Sequence, residues 1–86
     1  PECILTLVVT FNKLDSCAKA CSKIISSGII PRCMELMDKG AIDAVEKYSS
    51  IGLCDAEAML LIELDGNYHA VKEEADRLAE ICKNEK

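Results

Sequence analysis

The residues of this chain best suited to chemistry are six cysteines, one histidine and fifteen acidic groups. A structural zinc site draws on Cys and His at short fixed spacings. The only such spacing here is Cys17-x3-Cys21; there is no C-x-x-C, and His69 stands alone. An even number of cysteines also fits a disulfide framework, the device of small secreted domains. Against that, Gly and Pro number only four and two, too few for a fold of stapled loops. Cys17 and Cys21 instead sit at i, i+4 on one helical stripe, and Cys82 continues another. The expectation is therefore reduced thiols in the core, where free Cys behaves as a small hydrophobe. Disulfides and a metal site are the alternatives. A Cys-His nucleophile pair would have to use His69, which falls at a helix start on a polar turn and is expected at the surface. Glu35 and Glu63 form paired carboxylates only if their strands are neighbours, and rim salt bridges are the commoner outcome for such pairs. Asp38 is more naturally a helix cap than an acid catalyst. No glycine-rich phosphate loop and no G-x-S-x-G elbow occurs. These residues assemble no catalytic, cofactor-binding or metal site by themselves.

Bulk properties narrow the partners. A length of 86 residues suits one small domain with a modest core. Half the residues are apolar, which argues against disorder. A net charge of −5, with pI near 4.8, opposes binding to nucleic acid or an anionic membrane, both of which require a basic footprint. No apolar run approaches the roughly 20 residues of a membrane span. The stretch Ile4–Phe11 lacks the basic start and small-residue cleavage site of a signal peptide. The expected location is the cytoplasm.

The elements that position these groups follow from periodicity. Cys3–Phe11 is β-branched and too short for a helix, so it is expected as a strand. Asn12 is placed to cap a helix with Leu14, Cys17, Ala18, Cys21, Ile24 and Ile25 on one face, ended by Gly28. Pro31 suits a strand start. A second strand over 32–37 follows, then a helix capped by Asp38 with Ala41, Ile42, Val45 and Tyr48 inward. The segment 49–55 is expected as a loop, and Ala58–Asp65 as the third strand. Gly66 and Asn67 turn and cap a last helix from Tyr68 to Cys82, with Val71, Ala75, Leu78 and Cys82 inward.

The order βαβαβα admits a small parallel sheet with crossover helices. It also admits an α+β, ferredoxin-like two-layer sandwich, incomplete and with one extra helix, its helices on one face of a small sheet. Alternation supports the second. Leu5, Leu7, Val9, Phe11, Met34, Leu36, Ala58, Leu60, Ile62 and Leu64 form an apolar set. The opposing set holds Ile4, Val8, Cys33, Met37, Met59 and Leu61 among Thr6, Thr10, Glu35 and Glu63. That second face is too apolar for open water, and apolar surface with a few polar groups is how small-molecule pockets are lined. An ordinary half-exposed sheet face is the plainer alternative.

The sequence as a whole resembles a known family. Pro31-Arg-Cys-Met-Glu-Leu-Met-Asp38, the helix through Ala44-Val-Glu-Lys-Tyr48, Gly52-Leu53 and Ala58-Met-Leu-Leu-Ile-Glu-Leu-Asp-Gly66 are similar to the C-terminal domain of FAD-linked oxidases. Within it they resemble the group of glycolate oxidases and D-lactate dehydrogenases. Leu7-Val-Val-Thr-Phe11 and its following helix extend the resemblance over nearly the whole chain. Pro-x-x-x-Glu-x-Met-Asp is its most specific piece. The resemblance implies that residues 1–86 are a fragment of a cap, or substrate, domain. It implies FAD held by a separate flavin-binding domain of the same polypeptide, absent here, and oxidation of a D-2-hydroxy acid to the 2-oxo acid by hydride transfer to flavin. The family's His-x-Gly-Asp-Gly-Asn motif, its acidic motif and its pyrophosphate loop are not in this sequence. No catalytic, FAD or metal residue is therefore carried over, and Glu35 and Asp38 are the only pocket-side candidates. The fragment alone is expected to be inactive and to self-associate through its open sheet face or by strand pairing. A free-standing ferredoxin-like module that binds a small ligand or a regulatory partner is the alternative function, and a purely structural interaction domain is a third.

Overall fold

The computed structural model describes residues 3–49, 52 and 55–85, with the side chain of residue 49 left aside. The elements are β1 (Cys3–Phe11), α1 (Leu14–Ser26), β2 (Cys33–Asp38), α2 (Lys39–Ser49), β3 (Ala58–Gly66) and α3 (Tyr68–Glu85). Most of the loop expected over 49–55, including Leu53 and Cys54, lies outside the described residues.

The three strands make one antiparallel sheet in the order β1-β3-β2. The parallel alternative is thereby excluded. Leu7 and Met34 both stand opposite Ile62, and Val9 and Leu36 both stand opposite Leu60. The chain is an α+β domain built as a two-layer sandwich.

β3 is the centre of the sheet, and its sequence explains why. Ala58, Leu60, Ile62 and Leu64 have no exposed surface and pack under α1 and α3 with Phe11, Cys17, Ala20, Ile24, Val71, Leu78 and Cys82. A strand with apolar residues on both faces is stabilised only where both faces are covered. At the start of β3 they are: Met59 is buried in a second cluster with Ile42 and Ala56, and Met37 and Leu61 pack against it. Period-two alternation places this cluster on the face opposite α1 and α3. α2 therefore lies on the far face of the sheet, over one end, so the expectation that the helices share one face holds for α1 and α3 and not for α2. Met59, expected on the open face, is a core residue.

Helix ends follow local chemistry. The Asp38 carboxylate accepts a 2.9 Å hydrogen bond from the Ala41 N–H, and Asn67 Oδ1 accepts one of 2.9 Å from the Ala70 N–H. Each satisfies a backbone donor that the first turn leaves orphaned. α1 differs from expectation. Its N-cap is Lys13, with no side-chain cap, so Asn12 does not serve there. Beyond α1 the chain turns at Gly28, whose φ of +90° is strained for residues with a Cβ.

Candidate functional site

The far face of the sheet, beyond the end covered by α2, carries Thr6, Cys33, Glu35 and Glu63 on paired strands. Register defines its rows. Thr6 and Cys33 flank Glu63, Val8 and Glu35 flank Leu61, and Thr10 and Met37 flank Met59. Arg32 joins from just before β2, donating its backbone N–H to the Glu63 carbonyl at 2.8 Å. Its guanidinium Nε lies 3.9 Å from Glu63 Oε1. Ile4 and Val8 supply apolar surface and are each half exposed.

Glu35 and Glu63 do lie on adjacent strands, as carboxylate pairing requires, but one row apart. Glu63 stands opposite Cys33 and Glu35 opposite Leu61. Diagonal neighbours on one sheet face are about 7–8 Å apart at their Cα atoms. With Arg32 beside Glu63, they are two separate carboxylates. The Cys33 thiol lies between, 3.8 Å from Glu35 Oε1. Loss of water contact and then the charges of Glu35 and Glu63 raise its pKa, while Arg32 pulls the other way. The face thus holds Cys33 as a thiol and not as an activated thiolate.

The remaining candidates fall elsewhere. Asp38 ends β2 with its carboxylate engaged at the α2 N-terminus. His69 is exposed in the first turn of α3, edge-on to Tyr68 with ring centroids 5.6 Å apart. Among the described residues Cys3, Cys17, Cys21 and Cys33 are free thiols, and Cys17 and Cys82 lie in the core. Cys54 lies outside the described residues. Burial, helped by Cys21 and Cys82, pushes the Cys17 thiol up to about 11. No group of three or more His, Cys, Asp or Glu among the described residues could hold a metal ion. No described helix is long and apolar enough to cross a membrane.

Sequence reasoning missed Arg32 as a member of this face. The signal was present in its position between Pro31 and the first residue of β2, where a long side chain can reach the neighbouring strand.

Glycine-rich backbone at a helix N-terminus is what holds a dinucleotide diphosphate. Gly28 follows a helix; Gly40 lies in the first turn of α2, where the Asp38 carboxylate already takes the Ala41 N–H; and Gly66 precedes α3, where Asn67 takes the Ala70 N–H. The described residues therefore do not fit the diphosphate of FAD. What this face can do is present a short apolar surface with three charged groups to something held against it.

The sequence matches the family described as "FAD linked oxidases, C-terminal domain" over residues 1–86. Glycolate oxidase subunit GlcD of Bacillus subtilis (strain 168) is 37% identical over 84 residues, which is 96% of this chain and 18% of that protein. Glycolate oxidase subunit GlcD of Escherichia coli (strain K12) is 38% identical over 82 residues, 94% of this chain and 16% of that protein. The chain thus spans less than a fifth of the length of these relatives. With the family matched from end to end, and an α+β sandwich beneath it, the chain belongs to the C-terminal domain family of FAD-linked oxidases.

Proposed function

We propose that residues 1–86 are part of the cap, or substrate-side, domain of an FAD-dependent oxidoreductase that oxidises a D-2-hydroxy acid of the glycolate or D-lactate type to the 2-oxo acid. FAD and the redox chemistry belong to a flavin-binding domain of the same polypeptide, and this region contributes wall and orientation. The observation that carries the proposal is the likeness, over almost the whole of this chain, to two proteins named as glycolate oxidase subunits. On the mixed face around Arg32, Glu35 and Glu63, the Arg32 guanidinium is the group that suits an anionic 2-hydroxy acid, while the two carboxylates oppose its charge. Both residues are exposed, and Glu35 is the better of the two pocket-side candidates because the Asp38 carboxylate is committed to a helix end.

The test is anaerobic titration of the whole flavoprotein with glycolate and D-lactate. Bleaching of the oxidised flavin spectrum by either acid, and not by L-lactate, is expected. Flavin that no D-2-hydroxy acid reduces would overturn the substrate assignment.

A further inference from the structure

We infer that the outer edge of β1 receives a strand of the same polypeptide, the one directly following α3, which lies antiparallel to β1 and makes the sheet four-stranded. The paths of α1 and α3 over the sheet carry this, independently of the proposed oxidase function.

β1 and β2 are both antiparallel to β3, so β1–α1–β2 is a crossover between parallel strands that steps past β3. Such crossovers are right-handed in about 98% of cases. α1 and α3 pack on the same face of the sheet. Because β3 runs opposite to β1, a right-handed crossover through α3 on that face steps the other way, past β1 and away from β2. The position of α3 agrees. Val71 and Ala75 line one cavity with Leu5, and Ala79 and Cys82 line another with Val9, so α3 runs above β1 and in the same direction. A chain returning from the end of α3 therefore starts beside Val9 and runs back towards Leu5.

The two edges of the sheet are built differently. β2 is six residues long, carries Glu35 and Asp38, and follows Pro31 and Arg32. Charge, proline and shortness keep an edge strand from pairing. β1 runs nine residues in unbroken register with β3 and holds no charge, proline or glycine. Its Leu5, on the face beneath the helices, stays 38% exposed. The two cavities, of about 270 and 210 Å³, lie in line between β1 and α3. They accept alternate side chains of an added strand, which are expected to be apolar. The chain spans less than a fifth of its relatives, so a polypeptide of that kind has residues to supply this strand. Its remaining side chains stand beside Ile4, Thr6 and Val8 and widen the open face that Glu35 and Glu63 border.

Photo-crosslinking in the whole polypeptide tests this. A benzophenone amino acid replaces Lys72 at one end of the line of cavities or Lys83 at the other, both exposed helical positions. Both probes are expected to capture residues within about 15 positions after α3, the span of a short loop and a strand as long as β1. The Lys83 probe should capture the earlier residue and the Lys72 probe one about five later, since α3 rises about 16 Å between them. Hydrogen exchange in the same protein should be slow throughout β1, as in an inner strand, whereas an edge strand leaves alternate amides open to water. Captures in the reverse order, in any other part of the polypeptide, or in a second copy distinguished by isotope labelling overturn the inference. So do two probes that capture nothing, or a β1 whose alternate amides exchange freely.

Discussion

Ile42 of α2 and Met59 of β3 are buried together on the sheet face opposite α1 and α3, at 1% and 4% exposure. This contact gives the small domain a second core. The same helix leaves Val45 and Tyr48 at the surface, so among the described residues Ile42 is its one buried side chain. The far face is divided: α2 seals the Met37–Met59 end and leaves the Arg32–Glu35–Glu63 end open.

Truncating Ile42 should therefore loosen α2 selectively. Ile42→Ala is expected to cost about 2–4 kcal/mol in urea denaturation, the range for a buried isoleucine that leaves a cavity. Val45→Ala, one turn on, should change stability by no more than about 0.5 kcal/mol. Equal effects at the two positions would show that α2 is held by something other than the Ile42–Met59 contact.

Helix caps make a second, sharper comparison. Asp38→Ala and Asn67→Ala each remove a 2.9 Å hydrogen bond to a first-turn N–H and should cost about 1 kcal/mol. Asn12→Ala should be nearly neutral, because α1 has no side-chain cap. Thermal melts of the three variants are the measurement, and a large loss for Asn12→Ala would contradict the α1 geometry.

How much of this is legible in the sequence depends on whether a feature is local. The inward stripe Val71, Ala75, Leu78, Cys82 is a property of one helix, and its spacing alone predicts it. The Asp38 and Asn67 caps follow from one turn of sequence. Asn12 does not cap as its type suggests, because its neighbour Lys13 already has extended backbone and takes the cap position itself. Strand direction is ambiguous because a helix between strands serves either a parallel crossover or a sandwich. The burial of Met59 is invisible because Ile42 is the one side chain of α2 buried among the described residues, too little for periodicity to show which sheet face the helix meets. Of the open face, Glu35 and Glu63 are legible and Arg32 is not, since its partnership with Glu63 exists only once β2 pairs with β3.

Cys17 sets a pH limit on stability. Its folded pKa is raised from 9.0 to about 11, first by burial and then by Cys21 and Cys82. A raised folded value means that the native state keeps a proton the unfolded chain gives up. The contribution is complete below pH 9 and is lost as pH rises through about 11. Urea midpoints should fall between those values, and Cys17→Ala should flatten that part of the profile even if it lowers the midpoint throughout. An unchanged alkaline slope in Cys17→Ala would assign the loss to other groups.

The 86-residue chain alone is expected to bind no FAD and to oxidise neither glycolate nor D-lactate with a dye acceptor. Its single-glycine approach to α3 offers no cradle for a diphosphate. A flavin absorption spectrum that survives dialysis, or measurable dye reduction, would contradict this and move the redox chemistry into this domain.

Glu35 and Asp38 test the proposed substrate face in the whole flavoprotein. Both are carboxylates on β2, yet Glu35 is exposed beside Cys33 while Asp38 bonds the α2 backbone. If the open face borders the substrate, Glu35 sets a negative charge near an anionic 2-hydroxy acid. Removing that charge should help the substrate bind. At an effective dielectric between those of protein surface and water, and roughly 8–10 Å of separation, the gain is about 0.5–1 kcal/mol. Glu35→Gln is therefore expected to lower KM by about two- to fivefold with kcat and melting temperature nearly unchanged. The effect should shrink as salt is added, because the interaction is through solvent. Asp38→Asn keeps a side-chain oxygen for the Ala41 N–H and should leave KM alone, while Asp38→Ala lowers the melting temperature. A KM that responds to Asp38→Asn and not to Glu35→Gln would place the substrate against the end of β2 and away from the Arg32–Glu63 end of the face.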